Sequence, residues 1–133
     1  MPLSNGAKVS QRGLSNRPEL IGRSPAFKYL WRVHHQHCLR TGRRSTLTPD
    51  EFNSLLLGNC HYCGSPPFNR TKLLHSANIA YNGIDRVDQS GQYQIGNVVS
   101  CCKHCNSMKS SRPVSDFLAQ VKKIFRHSLE GKG

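Results

Sequence analysis

The sequence predicts a small α+β domain with helices at both ends, and three observations lead to that prediction. The chain has 133 residues, a length that suits one compact domain. Apolar residues follow a helical period before residue 58 and after residue 113, whereas strand-forming residues surround a turn between Ile79 and Asn97. Two Cys-x-x-Cys pairs, at positions 60/63 and 102/105, flank this strand-forming segment. We therefore expect a hairpin core that is braced by cysteines and joined to peripheral helices.

The chain is strongly basic, with 19 Lys and Arg residues against 7 Asp and Glu and a net charge of +12. This excess favours a polyanion as the partner. Hydrophobic residues make up 36% of the chain, which is enough to form a core and argues against an unstructured polycation. The longest apolar runs, such as Leu55 to Leu57, are too short to cross a membrane, and no secretory signal is visible. We expect a cytoplasmic protein without a membrane segment.

The chain begins with an arm that precedes the first helix. Residues 1–24 are rich in Ser, Asn, Gly and Pro and carry several basic side chains, which predicts a flexible basic arm. Ser24 followed by proline is typical of a helix start. The apolar period that follows predicts a helix from about Pro25 to Arg40.

A second, shorter helix is indicated by a capping motif. Thr48 and Glu51 have the spacing at which each side chain bonds the backbone of the other. The apolar residues after them and the closing Gly58 predict a short helix. We therefore assign residues 25–58 to a helical N-terminal segment.

The rest of the chain is expected to contain the hairpin and two more helices. Strand-forming residues around Gln-Ser-Gly-Gln predict a hairpin whose second strand runs from about Gln92 to Ser100. Residues 102–109 suit a short helix, and an amphipathic pattern predicts a C-terminal helix from about Val114 to His127. We assign residues 59–112 to the core domain and residues 113–133 to the C-terminal helix and tail.

The strongest chemical signal is the pairing of two Cys-x-x-Cys knuckles. Cys60 and Cys63 form the first knuckle, and Cys102 and Cys105 form the second. Four thiolates suit a tetrahedral Zn²⁺ without an open position, which predicts a structural site rather than a catalytic one. Buried or redox-active thiols are the alternative, but two matched pairs are less typical of redox chemistry.

Between and after the knuckles, the residues follow a specific order. Gly-x-Asp-Arg-x-Asp begins at Gly83, a tyrosine and Asn-Val-Val follow, and the second knuckle continues as Cys-Asn-x-x-Lys. From about Asn59 to Lys109, the sequence resembles the HNH (ββα-metal, His-Me finger) endonuclease family. The resemblance implies a zinc-braced ββα-metal fold, in which a hairpin and the following helix hold one divalent metal ion. Arg86 and Asn106 stand where the common family pattern has its first and last His. The chain has therefore either lost the family's activity or resembles the branch in which arginine and asparagine fill these places and a tyrosine on the hairpin takes part.

The resemblance and the chemistry of phosphodiester cleavage together suggest roles for five residues. Asp85 and Asn106 offer the hard oxygen ligands that Mg²⁺ or Mn²⁺ prefers. Arg86 can hold a phosphate but is a poor base, because its guanidinium stays charged. Tyr93 is the candidate for positioning or activating the nucleophile, and Asn97 for fixing the loop or orienting the catalytic group.

Each role has a structural alternative that involves no catalysis. Asp85 could form a salt bridge with Arg86 or cap the hairpin, and Tyr93 could pack in the hairpin. His34, His37 and Cys38 could share a helix face and bind a second metal, although a face with so many apolar neighbours is more typical of a core.

Basic side chains suggest where nucleic acid would bind. Each could neutralise a phosphate and would make the affinity depend steeply on salt, although runs of charge are often simply solvated. The candidate contacts are Arg43, Arg44, Arg70, Lys72, Lys103, Lys109 and Arg112.

Two functions are consistent with the sequence. The first is a metal-dependent DNA endonuclease of the HNH type, from a phage, a mobile element or a restriction system, that hydrolyses phosphodiester bonds in double-stranded DNA. The second is a non-catalytic zinc module that binds DNA or RNA. A double-strand break by a domain with one active site would require a homodimer, and the apolar face of the C-terminal helix could either form its interface or cover the core.

Overall fold

The computed structural model of the protein describes residues 24–131. This part of the chain contains four helices and four short strands. They are α1 (Pro25–Thr41), α2 (Pro49–Leu57), β1 (Asn69–Arg70), β2 (Ala80–Tyr81), β3 (Gly83–Arg86), β4 (Val98–Cys101), α3 (Lys103–Lys109) and α4 (Val114–Leu129). The fold is α+β, as predicted. Apart from Ser24, the predicted basic arm lies outside the described residues.

The two N-terminal helices begin at the caps that the sequence predicts. The Ser24 hydroxyl accepts a hydrogen bond from the Phe27 N–H at 3.1 Å, and α1 ends at Gly42, whose φ is 72°. At α2, the Thr48 N–H donates to the Glu51 carboxylate at 2.9 Å, and the Glu51 N–H donates to the Thr48 hydroxyl at 3.1 Å. The capping box is therefore confirmed.

The hydrophobic core lies between these helices and the hairpin. The Phe27 and Phe52 rings meet edge to face with their centroids 5.8 Å apart, and Trp31 meets Phe52 at 5.1 Å. Tyr93 and Val98 belong to the same buried cluster. The helices thereby support the hairpin from one side.

The hairpin pairs β3 with β4 in antiparallel register, with Asp85 opposite Val99. The prediction that its second strand begins at Gln92 is wrong, because that strand begins at Val98. The backbone of Tyr93 bonds to the α1–α2 connection instead: its N–H donates to the Arg44 carbonyl at 3.0 Å, and its carbonyl accepts from the Thr46 N–H at 2.9 Å. Residues 87–97 therefore form a loop that is anchored on the N-terminal segment.

The C-terminal helix α4 carries the predicted amphipathic pattern but buries little of it. Phe117 is the one residue of this helix that is buried, and its ring lies 5.6 Å from that of Tyr62. Ile124 and Phe125 are 56% and 60% exposed. The alternative that the whole apolar face covers the core is therefore wrong. Among residues 24–131, no helix has the length and apolar character needed to cross a membrane.

Candidate functional site

The four cysteines of the two knuckles form one cluster. Their sulfur atoms all lie within 4.8 Å of one another, and the Sγ atoms of Cys63 and Cys102 are 3.7 Å apart. A tetrahedral zinc site with Zn–S bonds of about 2.3 Å places its sulfurs about 3.8 Å apart. The cluster is therefore of the right size and chemistry to bind Zn²⁺.

The first knuckle is shaped by its own backbone and tied to the hairpin. The Gly64 N–H donates to the Cys60 carbonyl at 2.9 Å, and Gly64 adopts a φ of 80°, which favours glycine. The His61 N–H donates to the carbonyl of Ser100 in β4 at 2.8 Å. The second knuckle starts α3, where the Sγ of Cys102 accepts from the Cys105 N–H at 3.4 Å. The cluster thus joins a loop, a strand and a helix.

One sulfur of the cluster is already prepared for metal binding. Burial opposes ionisation of the Cys60 thiol, but the backbone N–H groups of Cys102, Cys63 and Tyr62 around it lower its pKa to about 6. Thiolate is the form that binds zinc. Burial raises the pKa of the Cys105 thiol in the same cluster, so Cys60 is the sulfur that reaches the thiolate form more readily of the two.

A second feature is a cavity of about 190 Å³ beside the hairpin. Four of the five predicted catalytic residues line it: Asp85, Arg86, Tyr93 and Asn106. β3 supplies the first two, the loop supplies the tyrosine, and α3 supplies the asparagine. Among the predicted DNA contacts, Arg43 also lines the cavity.

Asp85 is 3% exposed and has two partners on its buried side. The Tyr62 hydroxyl donates to Oδ2 at 2.8 Å. The Lys109 ammonium lies 3.3 Å from Oδ1 and 3.2 Å from Oδ2. The salt bridge of Asp85 is therefore with Lys109, and the alternative of a pair with Arg86 is wrong.

Arg86 holds the loop and covers the face of Tyr93. One guanidinium nitrogen donates to the carbonyls of Gln89 and Gly91, and another donates to the Gln89 side-chain oxygen at 3.1 Å. The guanidinium carbon lies 5.4 Å from the centroid of the Tyr93 ring. This arrangement places a permanent positive charge in the cavity wall next to the tyrosine.

Asn97 does not line the cavity but fixes the loop that carries Tyr93. Its side-chain oxygen accepts from the Asp88 N–H at 2.9 Å, and its side-chain nitrogen donates to the Gln92 carbonyl at 3.0 Å. A Cβ atom at Gly91 would come within 2.6 Å of that nitrogen, so the turn packs closely against Asn97. The geometry suits the loop-fixing role suggested by the sequence.

The predicted nucleic-acid contacts fall into two groups. Lys109 is fully buried against Asp85, so the prediction that it contacts a phosphate at the surface is wrong. Lys103 is exposed, with its ammonium 5.7 Å from the centroid of the Phe68 ring. Arg112 is also exposed and donates to the Met108 carbonyl at 2.8 Å. The other exposed members of the set are Arg44, Arg70 and Lys72.

His34 of α1 supports the site and does not belong to a second metal cluster. Among residues 24–131, the four knuckle cysteines are the group with metal-binding geometry. The Nε2 atom of His34 lies 2.9 Å from the Ser45 hydroxyl, and its ring meets Tyr93 edge to face at 4.8 Å. Cys38 lies 3.9 Å from the same nitrogen. His34 is therefore part of the packing behind Tyr93.

The stability of this packing should depend on pH. Burial, and then the neighbouring His35 and His37, lower the pKa of His34 from 6.5 to about 4. The native state keeps this ring neutral, so between about pH 6.5 and pH 4 the unfolded chain binds a proton that the folded chain does not. The stability that the neutral ring provides is complete above this range and is lost as the pH falls through it.

The measurement compares the urea midpoints of the wild type and His34→Gln at about pH 7 and about pH 5. The advantage of the wild type should shrink at the lower pH. Protonation of the cysteines lowers the stability of both proteins equally, so it does not change the difference between their urea midpoints. A constant difference between the two proteins would show that His34 is not held neutral.

Two residues of this site, Tyr62 and Lys109, have roles that the sequence does not predict. Tyr62 lies inside the first knuckle, and its position just before Cys63 was the one available signal. The sequence places Lys109 among the candidate DNA contacts, whereas its observed partner is Asp85. Both contacts join segments that are far apart in sequence.

Comparison with known proteins gives one relative by sequence and one structural neighbour. No protein-family model matches the chain. Over 86 residues, or 65% of the chain, it is 33% identical to the uncharacterized protein R423 of Acanthamoeba polyphaga mimivirus, of whose length it spans 14%. The structure is similar to that of PacI, a rare-cutting HNH restriction endonuclease, with a TM-score of 0.52 and 20% identity. The similarity covers 74% of this chain and 75% of the PacI chain and shows that the two share a fold.

Proposed function

We propose that the protein is a metal-dependent DNA endonuclease of the HNH type that hydrolyses phosphodiester bonds. The observation that carries the proposal is the cavity in which Asp85, Arg86, Tyr93 and Asn106 meet. It lies within a fold similar to that of an HNH restriction endonuclease. A carboxylate, an amide, a phenol and a fixed positive charge are together the groups that phosphodiester hydrolysis uses.

The oxygen donors of the cavity fit a divalent ion. The Asp85 carboxylate and the Asn106 amide are hard oxygen ligands, and the Asn106 side chain is exposed. Mg²⁺ or Mn²⁺ would act there as a Lewis acid on the scissile phosphate. Asp85 and Asn106 would hold this ion, with water and the phosphate completing its coordination.

The remaining residues of the cavity would bind the phosphate and position the nucleophile. Arg86 is fixed by its bonds to the loop, so its charge is preorganised for the negative charge of the transition state. Arg43 adds a second positive charge to the same cavity. Tyr93, held by His34 and Arg86, would orient the attacking water through its hydroxyl or, once that hydroxyl has lost its own proton, accept a proton from the water.

Double-stranded DNA is the proposed partner. The net charge of +12 and the exposed Arg44, Arg70, Lys72 and Arg112 would favour binding to its phosphates. The cysteine cluster, with Zn²⁺ bound, would keep the hairpin and α3 in the arrangement that forms the cavity.

A specific observation favours the second candidate function, a non-catalytic zinc module that binds DNA or RNA. The Asp85 carboxylate already has a buried ammonium and a hydroxyl as partners. An acid satisfied in this way can have a purely structural role. The two functions differ in whether bound nucleic acid is cut.

The test is incubation of the purified protein with supercoiled plasmid and with a pool of duplexes that have a randomised centre. The buffer is treated with EDTA and then supplied with Mg²⁺ or Mn²⁺. We expect nicked or linear plasmid, or shortened duplexes, only when the divalent ion is present. Retardation of the same DNA in a gel without cutting in either substrate would support the binding module, and the random pool guards against a missing target site.

The same assay reports on the proposed homodimer. The exposed apolar face of α4, which includes Leu118, Ile124 and Phe125, offers a surface for a second copy. Two cavities acting together would give linear plasmid without an accumulating nicked intermediate. A nicked product that persists would indicate a single site acting on one strand.

A further inference from the structure

The pair formed by Asp85 and Lys109 is buried to a degree unusual for charged groups. The Lys109 side chain is 0% exposed and that of Asp85 is 3% exposed. The ammonium lies almost equally far from both carboxylate oxygens, at 3.3 and 3.2 Å. Within residues 24–131, Asp85 is the one hydrogen-bond partner of this ammonium. Lys109 therefore contacts Asp85, a predicted metal ligand, on the side of the carboxylate away from the cavity.

Helix α3 brings both Lys109 and Asn106 close to the Asp85 carboxylate. The two residues are three positions apart, so they share a face of the helix. Asn106 lines the cavity, whereas Lys109 approaches Asp85 from the buried side. A metal ion bound at Asp85 and Asn106 would therefore lie close to the positive charge of the Lys109 ammonium.

The charges around the cavity oppose a divalent ion. Asp85 is the only acidic residue among the described residues that line it, and Arg43 and Arg86 line it as well. With Lys109, three positive charges surround one negative charge. Lys109 and Arg86 are both buried, and like charges repel more strongly where burial limits screening by water. A divalent ion would add two further positive charges, which the negative charge of a DNA phosphate would offset.

We propose that Lys109 is a positioning residue that makes divalent-ion binding depend on DNA. The ammonium competes for the Asp85 carboxylate, so the ion binds weakly to the free protein and firmly when a phosphate enters the cavity. Because coupling between two ligands is reciprocal, the ion also strengthens the binding of DNA. This inference rests on the proposed nuclease function. It adds that the divalent ion and the DNA substrate bind to the cavity together.

The experiment measures Mn²⁺ binding from the electron paramagnetic resonance signal of the free ion. Wild-type protein is titrated alone and with a short random-sequence duplex, and a blank of duplex alone is subtracted. We expect the duplex to tighten Mn²⁺ binding by about tenfold or more. Lys109→Gln, which keeps a donor to Asp85 but removes the charge, should bind Mn²⁺ about tenfold more tightly without DNA.

Two controls separate this role from a structural one. Tyr62→Phe removes the neutral donor to Asp85 and should change Mn²⁺ affinity far less than the lysine substitution does. Lys123→Gln removes an exposed charge of α4 that does not line the cavity and should leave Mn²⁺ affinity unchanged. Melting temperature and zinc content are recorded for every variant.

The outcomes distinguish this inference from the proposed function. Wild-type protein that binds Mn²⁺ equally well with and without DNA, but still cuts DNA, overturns the coupling alone. A Lys109→Gln protein that is folded but has wild-type Mn²⁺ affinity also overturns it, because a structural role would lower only the melting temperature. If this variant does not fold, the wild-type titration still decides. Absence of Mn²⁺ binding in every protein, with or without DNA, overturns the proposed function as well.

Discussion

Removing the Zn²⁺ that we propose for the cysteine cluster is expected to unfold the core of the protein. The cluster joins the first knuckle, β4 and α3. β4 pairs with β3, and β3 and α3 supply Asp85, Arg86 and Asn106 to the cavity. Structural zinc contributes about 10–16 kcal/mol of apparent binding free energy near neutral pH. The whole stability of a small domain is only about 5–15 kcal/mol, so the metal-free chain should not keep its fold. We expect a strong zinc chelator to abolish the cooperative thermal transition in circular dichroism, and added Zn²⁺ to restore it.

Substitutions of two cysteines provide a matched comparison for this prediction. Cys60→Ser removes one of the four sulfurs and should have the same effect as the chelator. Cys38→Ala changes a buried cysteine of α1 that lies outside the cluster, and it should retain its zinc. A chelated protein with an unchanged melting temperature would show that the cluster is not a structural metal site.

The parts of the fold that the sequence predicts well are those set by local spacing. The caps at Ser24 and Thr48 involve residues three positions apart, so both helix starts could be located. The four cysteines of the cluster could be identified in the same way, because metal ligands within a knuckle have a fixed spacing. These features depend on bonds between near neighbours in the chain.

The parts that the sequence does not predict depend on contacts between distant segments. The second strand starts later than expected because the backbone of Tyr93 bonds to Arg44 and Thr46, far away in the chain. Lysine side chains usually lie at the surface, but Lys109 is buried, where it pairs with the Asp85 carboxylate. Neither the spacing of apolar residues nor the composition of a segment shows which distant residues will be in contact.

Asp85→Asn is expected to abolish DNA cleavage. The substitution keeps the shape of the side chain but removes the negative charge that the divalent ion needs. Losing one preorganised charge interaction in an active site typically costs about 10²–10³-fold in rate, and loss of the metal adds to this. The measurement is the rate of plasmid cleavage with protein in excess over DNA.

The same substitution should also destabilise the fold, because it leaves Lys109 buried without its counter-ion. Breaking a buried ion pair typically costs about 3–5 kcal/mol. The double variant Asp85→Asn/Lys109→Gln removes both charges and should recover most of the lost stability. It should not recover cleavage. The pair of variants therefore separates the structural role of Asp85 from its catalytic role.

The proposed activity is hydrolysis of DNA by the cavity around Asp85 with a divalent ion. The most direct test is plasmid cleavage by the wild type and by the double variant Asp85→Asn/Lys109→Gln, with Mn²⁺ present and at protein concentrations that retard the plasmid in a gel. We predict nicked or linear product from the wild type alone, with equal zinc content and equal retardation by both proteins. Equal cleavage by the folded double variant would contradict the claim, and so would a wild type that retards DNA but never cuts it.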